Sequence, residues 1–167
     1  MDNVVDDKDN QVVELGASRP PAWEMPLLLL GAFRSLVDEA HVVLADRGHP
    51  GVRPVHGFAL QAIGGGATAS EVGARLGVSK QAAAKTIAML EAQGYVERRD
   101  DPADARRRRV IPTQRGRDLL AESARAFREA VARWERVAGA EDVARLGATL
   151  RAVAPAGAPL DFASWAG

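Results

Sequence analysis

The sequence predicts a mainly α-helical fold with one small β-hairpin, namely a winged helix-turn-helix flanked by terminal helices. Three patterns carry this prediction: two short helical segments joined by a glycine turn within residues 68–94, a basic hairpin pattern over 95–113, and a long amphipathic helix after Thr113. With 167 residues, the chain has room for one domain with a substantial core.

Two helices are predicted ahead of these patterns. In the first, apolar residues recur at spacings of three and four, which is typical of one helix face: Leu29, Phe33, Leu36, Ala40 and Leu44. Pro26 suits the first turn of this helix, and Gly48 and Pro50 stop it. A second helix is expected at about 54–63, beginning with a proline and ending at the glycines 64–66.

The segment "TASEVGARLGVSKQAAAKTIAMLEAQG" predicts a helix-turn-helix. Thr68 and Glu71 fit a capping box at the start of a short helix, Gly77 permits the sharp turn, and Ser79 is a good cap for the next helix. The inward-facing apolar positions are Val72 and Leu76 on the first helix, and Ala83, Ile87 and Leu90 on the second. The second helix is therefore the predicted recognition helix.

After Gly94 the pattern changes to two short strands. "YVERR" and "RRRVIPT" are typical of strands, with "DDPADA" as a Pro/Asp turn between them. The four consecutive arginines at 106–109 are then placed on the tip and return strand of the hairpin. A hairpin that directly follows a helix-turn-helix indicates a winged helix.

Two helices are predicted at the carboxyl end. Thr113 caps a long helix whose apolar positions alternate by four and three: Leu120, Ala124, Phe127, Val131, Trp134 and Ala138. Such a seam favours packing on a partner helix. A last helix has its apolar positions at Val143, Leu146, Leu150 and Val153. The expected organisation is an acidic flexible arm at 1–25, an N-terminal dimerisation helix at 26–52, the winged helix-turn-helix at 53–112, C-terminal dimerisation helices at 113–154 and a tail at 155–167.

Charge and composition exclude several classes of protein. Basic and acidic residues balance at 22 each, but residues 1–25 hold six acids and two bases, which leaves 20 bases against 16 acids elsewhere. The absence of cysteine removes disulfides, thiolate catalysis, thiol redox sensing and cysteine-ligated zinc. The longest apolar run, "MPLLLLGAF", is too short to span a bilayer, and the acidic start does not fit a signal peptide. We therefore expect a cytoplasmic protein with no membrane partner.

Two motifs resemble the MarR family of bacterial winged-helix transcriptional regulators. They are "LGVSKQAAAKTIAMLEAQGYVERR" and "DDPADARRRRVIPTQRGRDLL", and the resemblance covers residues 26–153. The second is the more specific, because it joins an aspartate two residues before an arginine, an apolar strand and the pattern T-x-x-G-R-x-L-L. The resemblance implies an obligate homodimer with two heads on one palindromic double-stranded DNA site. Two departures are the alanines 82–84, where larger apolar and hydroxyl residues are more common, and Met89, where a basic residue is common.

These expectations assign the DNA-binding residues to the recognition helix and the wing. The candidates are Ser79, Lys80, Gln81, Ala84 and Lys85 on the helix, and Arg98, Arg99, Asp104, Arg106, Arg107 and Arg108 on the wing. Glutamine pairs with an adenine edge, lysine reaches guanine or a phosphate, and alanine lies against thymine methyls. The alternative is a solvated helix face and a solubilising loop.

The wing arginines cannot all point the same way, because side chains alternate along a strand. We expect Arg106 to enter a minor groove. Asp104 is expected to brace Arg106 or a neighbouring guanidinium rather than contact DNA. At most about half of the run then meets DNA, and the others lie against acids or flanking phosphates. Each phosphate contact releases counterions, so binding should weaken steeply with salt.

The family resemblance also implies a small-molecule effector pocket between the dimer helices and the DNA-binding lobe. Its candidate residues are Phe33, His41, His56 and Phe127, with ordinary core packing as the alternative for each. The three histidines (with His49) lack the acid or cysteine that would complete a metal site, and no cofactor is expected.

Two other classes of function compete with the regulator. No Ser/His/acid order or phosphate loop supports an enzyme, and the "IGGGA" cluster follows a helix rather than a strand. A winged-helix protein–protein adaptor without ligand response stays open. In that case charge reversal at Arg106 should leave partner binding intact.

Overall fold

The computed structural model describes residues 20–101 and 104–154, with side chains described for 20–101 and 107–154. Most of the predicted acidic arm and the whole of the predicted tail lie outside these ranges. The elements in chain order are α1 (Met25–Asp46), α2 (Pro54–Ile63), α3 (Ala69–Leu76), α4 (Lys80–Ala92), β1 (Val96–Asp101), β2 (Asp104–Pro112), α5 (Gln114–Ala138) and α6 (Ala140–Val153). The chain divides into two compact units, with the boundary inside α1 between Phe33 and Arg34.

The predicted helix-turn-helix is confirmed as α3 and α4, and side chains cap both helices. The Thr68 hydroxyl accepts a bond from the Glu71 N–H at 3.3 Å, and the Glu71 carboxylate accepts one from the Thr68 N–H at 2.7 Å. Gly77 ends α3 with φ 68°, a left-handed conformation that favours glycine. The Ser79 hydroxyl then accepts the Ala82 N–H at 3.1 Å and begins α4.

The hairpin is longer than the sequence pattern predicted. Antiparallel pairing joins Val96 to Pro112 and continues to Asp100 opposite Arg108, with an irregularity before Asp101. The prediction that residues 100–105 are all turn is therefore wrong, since Asp100 and Asp101 lie in β1 and residues 104 and 105 lie in β2. An ion pair between Asp100 and Arg108, at 3.2 Å, supports the extra pairing across the two strands.

One continuous core lies within the second unit, beneath α4 and the wing (the β1–β2 hairpin). Its largest fully buried members come from α2, α3, α4, the residue before β1, and α5: Leu60, Ile63, Val72, Ile87, Leu90, Tyr95 and Leu119. The other edge of β2 pairs with Ala67 through bonds of 3.0 and 2.8 Å between Ala67 and Val110. The wing is thus tied to the segment that leads into α3, which keeps hairpin and helix-turn-helix in a defined relation.

The face of α5 that is fully buried within the single chain borders the predicted apolar seam rather than coinciding with it. The buried residues are Gly116, Leu119, Ala126 and Ala130, whereas in the seam Leu120, Val131 and Trp134 are half-buried and Ala124, Phe127 and Ala138 are exposed. Small residues are buried here because α5 approaches its neighbours closely: a Cβ on Gly116 would lie 2.1 Å from the Tyr95 carbonyl oxygen.

Candidate nucleic-acid interface

Helix α4 presents a basic and polar surface to solvent. Ala83, Ile87 and Leu90 are buried along one side, which turns Lys80, Gln81 and Lys85 outward, and Ala84 lies half-buried at the border. We call Lys80, Gln81, Ala84 and Lys85 the recognition face. Within the described part of the chain, neither lysine forms an ion pair.

Four of the predicted wing arginines, Arg98, Arg99, Arg107 and Arg108, are exposed, and carboxylates of nearby residues pair with three of them. Arg98 bonds Glu91 of α4 at 3.0 Å, Arg99 lies 2.6 Å from Glu97, and Arg108 lies 3.2 Å from Asp100. The Arg98–Glu91 pair links the wing directly to the recognition helix. Arg107 is exposed. Asp104 and Arg106 lie in β2, and their side chains are outside the described set.

Arg109 differs from the other wing arginines. Its guanidinium donates to the Gly66 carbonyl and lies 3.9 Å from the Asp101 carboxylate. Gly66 has φ 146°, and a Cβ there would lie 3.1 Å from Ile111 and 3.4 Å from Arg109. Arg109 therefore fastens the wing to the loop before α3, a role that strand alternation alone did not indicate.

Sequence reasoning missed a polar cluster at the junction of α4 and β1. His49 Nδ1 lies 3.2 Å from the buried Tyr95 hydroxyl, although 46 positions separate the two residues. The Arg115 guanidinium stacks 4.9 Å from the centre of the Tyr95 ring and donates to the Gly48 carbonyl at 3.2 Å. This cluster ties the loop after α1 and the first turn of α5 to the base of the wing.

The four predicted effector residues are not all brought together. His41 and Phe127 line a small apolar cavity of about 40 Å³, whose other lining residues include Val37, Leu44 and Phe58. His56 is fully buried, and its Nδ1 accepts a bond from the Arg53 N–H at 3.3 Å, while its Nε2 has no hydrogen-bond partner among the described residues. Phe33 is exposed, in the other unit of the chain.

The surroundings of all three histidines favour the neutral form of the imidazole ring. Burial lowers the pKa of His41, His49 and His56 below the ordinary 6.5, and Arg115 and Arg53 lower that of His49 and His56 further. No group of three or more histidines and carboxylates is placed to hold a metal ion among the described side chains. No helix in the described ranges is long and apolar enough to cross a membrane.

Stability should therefore fall as the solution becomes mildly acidic. Unfolded histidines take up protons at pH values where the folded ones stay neutral, so the free energy of unfolding should be highest above about pH 7 and decline below 6.5. Bonds from Arg133 and Arg47 lower the pKa of Glu39 and Glu129, which adds a further decline below 4.5. Urea unfolding at pH 8.0, 7.0, 6.0 and 5.5 measures the first effect. A constant free energy across that series would contradict the prediction.

Comparisons with known proteins agree with the helix-turn-helix and hairpin described above. Residues 53–107 match the sequence profile of the MarR family. No curated protein matches the chain by sequence.

Three solved structures have a similar fold. The YusO protein from Bacillus subtilis is 22% identical, with 79% of this chain and 95% of that chain covered and a TM-score of 0.62. RV1404 from Mycobacterium tuberculosis is 20% identical, with 81% and 93% covered and a TM-score of 0.66. A MarR variant from E. coli, solved in complex with operator DNA, is 19% identical, with 81% and 100% covered and a TM-score of 0.64.

The predicted fold class is confirmed by these likenesses together with the helices and hairpin described above. The profile match begins at Arg53, just before α2, and extends through the recognition helix into β2. Residues 53–107 therefore carry the sequence profile of the MarR family, within a chain whose fold is similar to that of the solved MarR structure.

Proposed function

We propose that this protein is a dimeric transcriptional regulator that binds double-stranded DNA in a sequence-specific manner and acts in the cytoplasm. The observation that carries the proposal is the recognition face, where Lys80, Gln81 and Lys85 are exposed on α4 and the lysines have no carboxylate partner among the described residues. A cation without a carboxylate partner breaks no ion pair when it exchanges water for a phosphate or a guanine edge.

The wing supplies the second contact. In this proposal α4 enters the major groove and the tip of the wing approaches the adjacent minor groove. Arg98, Arg99 and Arg108 hold carboxylates in the free protein, and these exposed pairs are weak enough to exchange for phosphates.

Binding to the DNA upstream of the protein's own gene tests this function. A fluorescein-labelled duplex from that region should be bound at nanomolar to micromolar protein concentration, more tightly than a scrambled duplex of the same composition. The affinity should fall steeply with salt, because each cation–phosphate contact releases counterions. Absence of salt-sensitive duplex binding at low ionic strength would overturn the proposal.

A homodimer is proposed because each unit exposes apolar side chains that water solvates poorly. In the first unit Trp23 is 71% exposed and Leu27 59%, and in the second unit Val137 is 90% exposed and Val153 72%. Two linked heads also bind a palindrome far more tightly than one head binds a half-site. Sedimentation velocity should give twice the mass of the 17.7 kDa chain at micromolar concentration. A monomer would remove this part of the proposal.

We further propose that the regulator is a repressor relieved by a small-molecule effector at the His41–Phe127 cavity. The His41 ring in the lining of this cavity supports the proposal, since it offers a polar group to a ligand among mostly apolar residues. A volume of about 40 Å³ has room for little more than one water molecule, so the effector would select a form in which the cavity is open. A thermal-shift screen of aromatic acids, antibiotics and metabolites, followed by DNA release by each hit, tests this. A hit that raises the melting temperature but leaves DNA affinity unchanged would contradict it.

A further inference from the structure

Arg53 stands out among the basic residues that lie outside the helix-turn-helix and the wing. It directly precedes α2, its side chain is exposed, and its Nη2 lies 3.8 Å from the sulfur of Met89 on α4. Its backbone N–H donates to the buried His56 ring at 3.3 Å, which anchors the residue at that point. Among the residues that the structure describes, Arg53 forms no ion pair with a carboxylate.

Met89 lies on the same side of α4 as the recognition face. Gln81, Lys85 and Met89 follow one another at intervals of four, so they are stacked along the helix, with Met89 one turn beyond Lys85. The Arg53 guanidinium beside Met89 therefore continues the line of positive charge from Lys85 toward the carboxyl end of α4. Another element of the fold contributes this charge, and the sequence of α4 by itself ends the line at an apolar residue.

We propose that Arg53 is a further DNA-binding residue that contacts a backbone phosphate. The inference rests on the proposed function, because it requires α4 to lie in the major groove. The nine steps from Lys80 to Met89 rise about 13 Å along the helix, close to the groove's width of about 12 Å. Since the amino end of a recognition helix meets the base edges, a cation at the Met89 end lies at the rim, where phosphates are the available anions.

The dependence of DNA affinity on salt concentration tests this role. The wild-type chain and Arg53→Gln are titrated with the upstream duplex by fluorescence anisotropy between 50 and 200 mM salt. Each lost phosphate contact should reduce the slope of log affinity against log salt by about 0.9, and two heads should reduce it by about 1.8. Affinity for the scrambled duplex should fall by the same factor, because a phosphate contact carries no sequence information.

Two further variants separate a phosphate contact from a structural role. Arg128→Gln removes an exposed arginine of α5 and should leave the slope unchanged. In the exchange variant Arg53→Met with Met89→Arg, the arginine extends from α4 instead of from the residue before α2. Its charge lies in the same region, so this variant should restore most of the slope of log affinity against log salt. Melting temperatures of all the variants are measured in parallel, because Arg53→Gln keeps the backbone bond to His56 and should fold normally.

The outcomes distinguish this inference from the proposed function. If the wild-type chain shows no salt-dependent duplex binding, the proposed function fails and the inference fails with it. If the wild-type chain binds and Arg53→Gln keeps the full slope, only the inference is overturned. Weaker binding of Arg53→Gln with an unchanged slope would also overturn it, because that result indicates an effect on the fold rather than a lost phosphate contact.

Discussion

Replacing Lys85 by glutamate is expected to weaken binding to the upstream duplex by about a hundredfold. Lys85 is exposed on the recognition face and has no ion pair among the described residues, so its charge is available to DNA. Loss of one base or phosphate contact costs about 1–3 kcal/mol, and a dimer loses one in each head. A loss of about 1.4 kcal/mol per head corresponds to a hundredfold in total.

The measurement is an anisotropy titration at fixed salt, with circular dichroism to confirm folding. Arg128→Glu is the matched control, because it makes the same change of charge at an exposed helical position of α5, away from the recognition face. The free energy of unfolding of both variants should lie within about 0.5 kcal/mol of the wild-type value, as is usual for exposed positions. Equal DNA affinities for Lys85→Glu and the wild type would exclude α4 as the recognition helix.

Replacing Gly116 by alanine is expected to lower the free energy of unfolding by about 3 kcal/mol. The added Cβ would lie 2.1 Å from the Tyr95 carbonyl oxygen and 3.2 Å from its carbon, and backbone atoms cannot rotate out of the way. The same carbonyl accepts the Thr113 N–H at 3.0 Å, so moving it also disturbs the entry into α5. The Leu60 side chain, 3.4 Å from the added Cβ, blocks a shift in that direction.

Urea unfolding of Gly116→Ala and of Gly147→Ala measures this effect against a matched control. A Cβ on Gly147 of α6 would meet only the end of the Arg151 side chain, at 4.0 Å. In that position alanine should stabilise the helix by up to about 1 kcal/mol, because it restricts the unfolded chain and favours the helix. If the free energy of unfolding of Gly116→Ala lies within 1 kcal/mol of the wild-type value, the close approach of α5 to Tyr95 is not a feature of the folded protein.

Features that depend on neighbours in the chain were predictable. The caps at Thr68, Ser79 and Thr113 follow from hydroxyl residues placed just before apolar periodicity, and each hydroxyl accepts the expected backbone N–H. The buried side of α4 likewise follows from a spacing of four and three. The candidate DNA-binding residues of α4 could be selected for the same reason, since whatever is not buried on a short helix faces solvent.

Features that depend on packing between distant segments were not predictable. Nothing in the residue order pairs His49 with Tyr95 or places Arg53 beside Met89, because these residues are 46 and 36 positions apart. The pairing of Asp100 with Arg108 required the register of the hairpin, and a turn-forming composition concealed it. Apart from Leu119, the buried face of α5 consists of alanine and glycine, whose low hydrophobicity makes a weak periodic signal.

The sequence by itself determined the order of helices, the winged helix-turn-helix and the basic character of the recognition helix and wing. These follow from periodicity, capping and charge, which act over one or two turns of chain. Only the tertiary structure decided which arginines are held by carboxylates, why Gly116 must be glycine, and that Arg53 lies beside α4. The physical reason is that close packing sets distances between segments that are remote in the chain, and no local pattern encodes those distances.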